Sequence, residues 1–168
     1  MRMSRFNDSG FTLIETMTVG AIIAIGTILA APAYLQWHAK YQLRDAVTTI
    51  QSTLNLARLT AAKRNSSMNV QFSVSGGVVN IAVTDAAGSG VIAPVVLSGS
   101  VTTVSVTNSS GTPVTPGTVT FSSLAGLRTS GAATQPQLIR VTNNKGKIYS
   151  IAVTPGGQTR WCPSATCS

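Results

Sequence analysis

Acidic side chains are scarce in this chain, which has four Asp and Glu residues against twelve Lys and Arg and a single histidine, His38. Acid–base catalysis and metal binding both need several such groups held close together. Asp45 and Asp85 are isolated, and no G-x-S-x-G, H-E-x-x-H or phosphate-loop spacing is present. The sequence therefore predicts that the protein is not an enzyme and that it holds no cofactor and no metal.

Cysteine is limited to Cys162 and Cys167, which stand near the C-terminus as CPSATC. A metal site would need two further ligands, and His38 lies far away in the sequence. Outside the cytosol, two cysteines this close usually form a disulfide. We therefore expect a Cys162–Cys167 disulfide that pins the C-terminal tail, with a metal site as the alternative.

What the chain does have is one long apolar run, residues 11–33, directly behind a short polar leader, residues 1–10 (MRMSRFNDSG). A run of this length is enough to cross a bilayer core of about 30 Å as a helix. Its single charge is Glu15, in the first turn. A carboxylate near the start of a membrane span is costly in lipid and marks a candidate functional site.

The order of leader and apolar run resembles the class III signal of type IV prepilins and pseudopilins. Gly10 matches the last leader residue, Phe11 the first mature residue, Glu15 the family glutamate and Pro32 a helix-breaking proline. The resemblance implies that prepilin peptidase cleaves between Gly10 and Phe11 and methylates the new amine of Phe11. It also implies that Glu15 pairs with the amine of a neighbouring subunit during assembly. A plain single-span anchor is the alternative, and it leaves Glu15 unexplained.

A helical period continues over residues 34–65. One apolar face is spaced 4-3-4-3-4 and consists of Leu43, Val47, Ile50, Leu54, Ala57 and Ala61. The opposite face is polar and carries Lys40, Arg44, Asp45, Thr48, Gln51, Asn55 and Arg58. Three aromatic residues follow the apolar run, as is typical of a membrane–water interface: Tyr34, Trp37 and Tyr41. The alternative is that these rings pack against neighbouring subunits. The helix is expected to loosen at Pro32 and to end near residues 63–65.

Beyond Ser66 the apolar period changes to two. This predicts one hairpin from residues 68–74 and 78–83 and a second from residues 138–142 and 148–153. Shorter strands are expected within residues 91–106 and at 119–121, and residues 108–117 are expected to form a loop. The predicted fold class is α+β: a long N-terminal membrane-spanning helix packed on a C-terminal antiparallel β domain, residues 66–168, with one or two sheets.

Three segments of the globular part resemble the GspH and FimT/FimU minor pilins and pseudopilins: residues 54–72, 119–131 and 138–162. The resemblance implies a subunit that helps to initiate or cap a type II secretion pseudopilus or a type IV pilus. It would sit in the bacterial inner membrane as a single-pass protein with its globular domain on the periplasmic side. Its partners would be other pilin or pseudopilin subunits, prepilin peptidase and membrane lipid. A major pilin is the alternative.

Some FimT-type members bind DNA through a C-terminal Gly-Arg-x-Arg motif. Here the motif reads Gly157-Gln158-Thr159-Arg160, so the first arginine is replaced by an uncharged residue. The candidate DNA contacts, with a tryptophan that stacks on a base, are Arg140, Lys145, Lys147, Gln158, Arg160 and Trp161. The alternative is that the charges are solvated and that Trp161 caps the core.

Without the leader, ten Lys and Arg stand against three acids. Such a balance in an exported domain is compatible with DNA, with anionic lipid headgroups or with an acidic protein partner. Lys40 and Arg44 follow the apolar run closely enough to touch headgroups. The hairpin cations Lys145 and Lys147 are expected to lie too far along the helix to do so.

Overall fold

The computed structural model describes residues 11–97, 100–107 and 110–167. The predicted leader, residues 1–10 with its cleavage residue Gly10, lies outside the described residues, and so does the side chain of Pro32. Helix α1 spans Leu13–Arg64. The described strands are β1 Met68–Ser75, β2 Val78–Asp85, β3 Gly90–Val96, β4 Val101–Thr107, β5 Pro113–Val114, β6 Gly117–Phe121, β7 Gln137–Asn143, β8 Ile148–Val153 and β9 Thr159–Cys162.

The chain divides into two compact units, residues 1–38 and residues 39–168. In the first unit the described large apolar side chains are exposed, as at Phe11 and Leu13, each 77% exposed. Among the described residues, no helix combines the length and the apolarity of a membrane crossing. The membrane span over residues 11–33 stays a prediction.

In the second unit, α1 contributes one face to the hydrophobic core. The six residues predicted for that face are all fully buried: Leu43, Val47, Ile50, Leu54, Ala57 and Ala61. They form one cluster with side chains from the strands, among them Phe72, Phe121 and Ile151. Burying a large apolar side chain contributes about 1.5–3 kcal/mol, so this face fixes the helix against the strands. The α+β prediction is confirmed.

The described strands form two antiparallel sheets, in the orders β3-β2-β1-β6 and β5-β4-β7-β8-β9. The predicted hairpins are the β1–β2 and β7–β8 pairs, with Phe72 opposite Ile81 and Ile139 opposite Ile151. The outer strands are therefore β3 and β6 in one sheet and β5 and β9 in the other.

Two short strands depart from the sequence-based expectation. Residues 113–114 form β5 within the predicted loop 108–117 and pair with β4. Residues 159–162 form β9, which pairs with β8 and places Trp161 opposite Ile151. A two-residue and a four-residue strand are too short to show a period of two, so the sequence pattern does not reveal them.

One buried polar side chain joins the two sheets. Gln137 is 3% exposed, and its Nε2 donates to the carbonyl oxygens of Thr107 at 2.8 Å and Thr118 at 3.2 Å. Its Oε1 accepts from the Ser130 hydroxyl at 2.7 Å. Thr107 belongs to β4 and Thr118 to β6, so the amide links strands of different sheets.

Gln137→Leu is expected to lower the free energy of unfolding by about 2–4 kcal/mol, because the carbonyl oxygens of Thr107 and Thr118 lose their partner at a buried site. Urea denaturation of the processed chain measures the change. The matched control is Gln135→Leu, since the side chain of Gln135 is exposed; it is expected to stay within about 0.5 kcal/mol of wild type. Equal stabilities for the two variants would contradict a linking role for Gln137.

Candidate functional site

The start of α1 carries the sequence pattern of a capping box, of which the structure forms the half made by Thr12. Thr12, Leu13, Ile14 and Glu15 match the pattern Thr-x-x-Glu, and the backbone N–H of Glu15 donates to Oγ1 of Thr12 at 3.3 Å. Glu15 is exposed, and the described residues give its carboxylate no hydrogen-bond or ion-pair partner. The negative charge of Glu15 interacts favourably with the helix dipole at the N-terminus of α1. The carboxylate is thus placed where a partner from another molecule can reach it.

The turn that carries the Gly157 motif is shaped by a close approach of two backbone segments. Gly157 has φ +74, and a Cβ at this position would collide with the carbonyl oxygen of Gly126. The same Cβ would lie 2.9 Å from Nε of Arg58, on α1. Gly126 also has a positive φ and packs on the Arg58 side chain. The structure therefore gives the motif glycine a role in the fold.

The predicted DNA contacts do not converge on one cavity. Arg140 lines a cavity of about 420 Å³ beside Leu138. Gln158 and Arg160 line a second one of about 410 Å³. Lys147 lines a third one of about 380 Å³. Their charges are spread over the surface, so a compact anion would meet only a part of the predicted set.

Trp161 is engaged within the fold. Its ring stacks on Tyr149 with centroids 5.8 Å apart and an interplanar angle of 13°. The guanidinium carbon of Arg44 lies 5.7 Å from the centroid of the Trp161 ring, within cation–π range. Trp161 also packs, partly buried, against the core cluster. These contacts agree with the interpretation that Trp161 caps the core.

The turn between β7 and β8 presents two exposed lysines on a fixed backbone. Asn143 is 2% exposed, and its Oδ1 accepts from the backbone N–H groups of Lys145 at 3.0 Å and Lys147 at 2.9 Å. Lys147 lines the same cavity as Lys40 of α1. Lys147 therefore lies at the level of Lys40 on α1, and the expectation that the hairpin cations lie too far along the helix to touch lipid headgroups stays a prediction. The pairing of β7 with β8 fixes the turn locally. The position of the turn relative to α1 depends on how the sheet packs on the helix, and the periodicity of the sequence does not predict that packing.

The Cys162–Cys167 disulfide is present, as predicted. Both thiols are used in it, which removes the metal alternative for these cysteines. The short loop that it closes is held to the sheet by Arg140, whose Nε donates to the carbonyl oxygen of Ala165 at 2.9 Å. No group of three possible metal ligands occurs among the residues that the structure describes.

Sequence reasoning gave no role to Arg128, the basic residue in the segment 119–131. It is 7% exposed, and its Nη2 donates to the carbonyl oxygens of Ala132 and Gln135, each at 2.7 Å. Burial lowers the pKa of Arg128, because the charged guanidinium loses hydration. The side chain organises the loop before β7. Only its position after a Phe…Gly turn distinguished it in the sequence.

Comparison with known proteins gives two matches. A family model described as "Type II transport protein GspH" matches residues 46–157, about two thirds of the chain. The "Type IV major pilin protein PilA" of Myxococcus xanthus (strain DK1622) is 43% identical over 54 residues, which is 31% of this chain and 24% of that protein. The chain thus spans about a quarter of the length of this curated relative. No solved structure matches the chain significantly.

Proposed function

The chain belongs to the GspH family of pilin-like proteins, and from this we propose that it is a minor pilin or pseudopilin that helps to initiate or cap a filament. The match over residues 46–157 carries the proposal, since it covers the second part of α1 and the strands through β8. A long helix with antiparallel sheets agrees with a pilin-like fold. Other pilin or pseudopilin subunits are then its partners.

The N-terminal part of the proposal concerns processing and location. Prepilin peptidase removes residues 1–10 between Gly10 and Phe11, and residues 11–33 hold the mature chain in the inner membrane. The globular unit then lies on the periplasmic side. The disulfide supports this placement, because disulfides persist in oxidising compartments.

A minor role is favoured over that of a major pilin. The matching family model is GspH and covers most of the globular unit, whereas the match to a major pilin covers 24% of that protein. DNA binding stays a prediction. Arg140, Lys147 and Arg160 line three separate cavities, which does not favour it over a structural role.

The N-terminus and the copy number of the native protein test this proposal. We expect mass spectrometry to find a mature chain that starts at methylated Phe11, and to find it in sheared filaments as a small fraction of the bulk subunit. Gly10→Val should leave the leader attached, because a branched side chain replaces the small residue at the cleavage position.

The matched control is Gly20→Val, whose position has open space around it and lies behind the cleavage point. It should be processed normally. An intact leader on the native chain would contradict the proposed processing. An abundance equal to that of the bulk subunit would identify a major pilin instead.

A further inference from the structure

Two lysines from distant parts of the sequence meet at one cavity of the globular unit. The cavity has a volume of about 380 Å³ and is lined by Lys40, Lys147, Ile148, Tyr149 and Pro163. Lys40 and Lys147 are both exposed, and the carboxylates of the described residues form no ion pair with either one. We call this cavity the Lys40–Lys147 site.

Both lysines stand on backbone that is held in place. Lys147 ends the turn whose backbone N–H groups bind the buried Asn143 side chain. Lys40 follows Ala39, which is 8% exposed, and precedes the fully buried Leu43, so the rotation of α1 is fixed here. The fold therefore fixes the separation of the two lysine backbones. The separation of the two ammonium groups varies only as the side chains rotate.

An aromatic stack supports one wall of the Lys40–Lys147 site. Tyr149 lines the cavity and stacks on Trp161, and Trp161 in turn lies beneath the Arg44 guanidinium. Arg44 and Asp45 both line a different cavity, and neither belongs to this lining, whose two charged residues are the lysines. The local charge is positive and suits a phosphate group.

We propose that the Lys40–Lys147 site binds the phosphate of anionic lipid headgroups at the membrane surface, which rests on the proposed membrane span of residues 11–33. Lys40 follows the end of that span by seven positions. Between them, Tyr34 and Trp37 are exposed by 61% and 60%, as interfacial aromatics are. Trp161, the residue predicted to stack on a base, does not line this cavity and is stacked on Tyr149 instead, so a lipid phosphate fits the site better than a nucleic acid that needs Trp161 as a base platform.

Lysine acylation read by mass spectrometry tests the inference on the processed full chain in lipid nanodiscs. Acylation requires the deprotonated amine of lysine. A bound phosphate stabilises the protonated ammonium form, so a lysine bound to phosphate is acylated slowly. We expect Lys40 and Lys147 to be acylated several-fold more slowly in discs with phosphatidylglycerol than in discs of phosphatidylcholine alone. The exposed Lys63, at the end of α1, should react at the same rate in both.

A charge-matched pair of variants tests whether the two lysines act together. Lys147→Gln should remove most of the protection of Lys40, whereas Lys63→Gln, with the same loss of charge, should leave it intact. Loss of protection in both variants, or in neither, would overturn the inference.

Further arms separate the remaining outcomes. Entry into both kinds of disc with equal acylation rates would overturn this inference alone, whereas failure to enter any disc would overturn the proposed membrane span as well. Protection by inorganic phosphate in phosphatidylcholine discs would mean a free-anion site and would overturn the lipid assignment. Protection by duplex DNA but not by phosphatidylglycerol would overturn it in favour of a nucleic-acid site.

Discussion

A chain carrying Glu15→Gln is expected to enter the membrane normally and to be nearly absent from filaments. The side chain keeps its size but loses the charge that the proposed partner, the amine of a neighbouring subunit, requires. Leaving one member of a buried ion pair alone costs about 3–5 kcal/mol. This corresponds to at least a roughly 100-fold loss of incorporation. The ratio of the chain in sheared filaments to the chain in membranes measures it.

Asp45→Asn is the matched control for Glu15→Gln, because it makes the same chemical change at an exposed acid of the globular unit. It should be incorporated like the wild type. If the Glu15→Gln chain were present in filaments at the wild-type ratio, the pairing assigned to Glu15 would be wrong. If both variants were lost, the effect would come from total charge and not from this position.

Gly157→Ala is expected to destabilise the globular unit strongly. The left-handed backbone at φ +74 costs a non-glycine residue about 1–2 kcal/mol. The added Cβ also collides with the Gly126 carbonyl oxygen, and overpacking of this kind costs about 1–3 kcal/mol. Together these terms lower the melting temperature by roughly 10 °C or more. Thermal unfolding followed by circular dichroism of the processed chain measures the change.

The neighbouring glycine provides the control. A Cβ at Gly156 would meet only Oγ1 of Thr154, at 3.8 Å, and its φ lies outside the left-handed region. Gly156→Ala should therefore leave the melting temperature unchanged or raise it slightly, because alanine restricts the unfolded chain. Similar losses in both variants would show that the turn rejects any side chain, and the contact with Gly126 would then not be the cause.

Local periodicity was enough to predict the helix and the two hairpins. The six residues of the apolar face from Leu43 to Ala61 are buried because a helical period of apolar residues already defines the face that meets the core. The hairpins followed from short turns between alternating segments, with Gly76 and Gly77 at positive φ in the first. Each of these two patterns is formed by residues that are only a few positions apart in the sequence.

The arrangement of the strands in two sheets was not predictable in the same way. β1 pairs with β6, and β4 pairs with β7, across long stretches of chain. Nothing in a local pattern selects these partners. The same holds for the amide of Gln137 between two sheets and for Lys147 beside Lys40, since each depends on how distant segments pack.

The outer strands of the two sheets bear on how copies of this chain can associate. In the described part of the chain, β3 contains Pro94, β5 begins at Pro113, β6 follows Pro116 and β9 precedes Pro163. Proline has no backbone N–H, so the edges of β3 and β5 are interrupted as templates for another chain, whereas β6 and β9 are only flanked by a proline. Growth of an assembly by strand addition at β3 or β5 is thereby disfavoured. A contact between copies at either of these two edges then depends on side chains, so residue identity and not backbone hydrogen bonding selects the neighbour there.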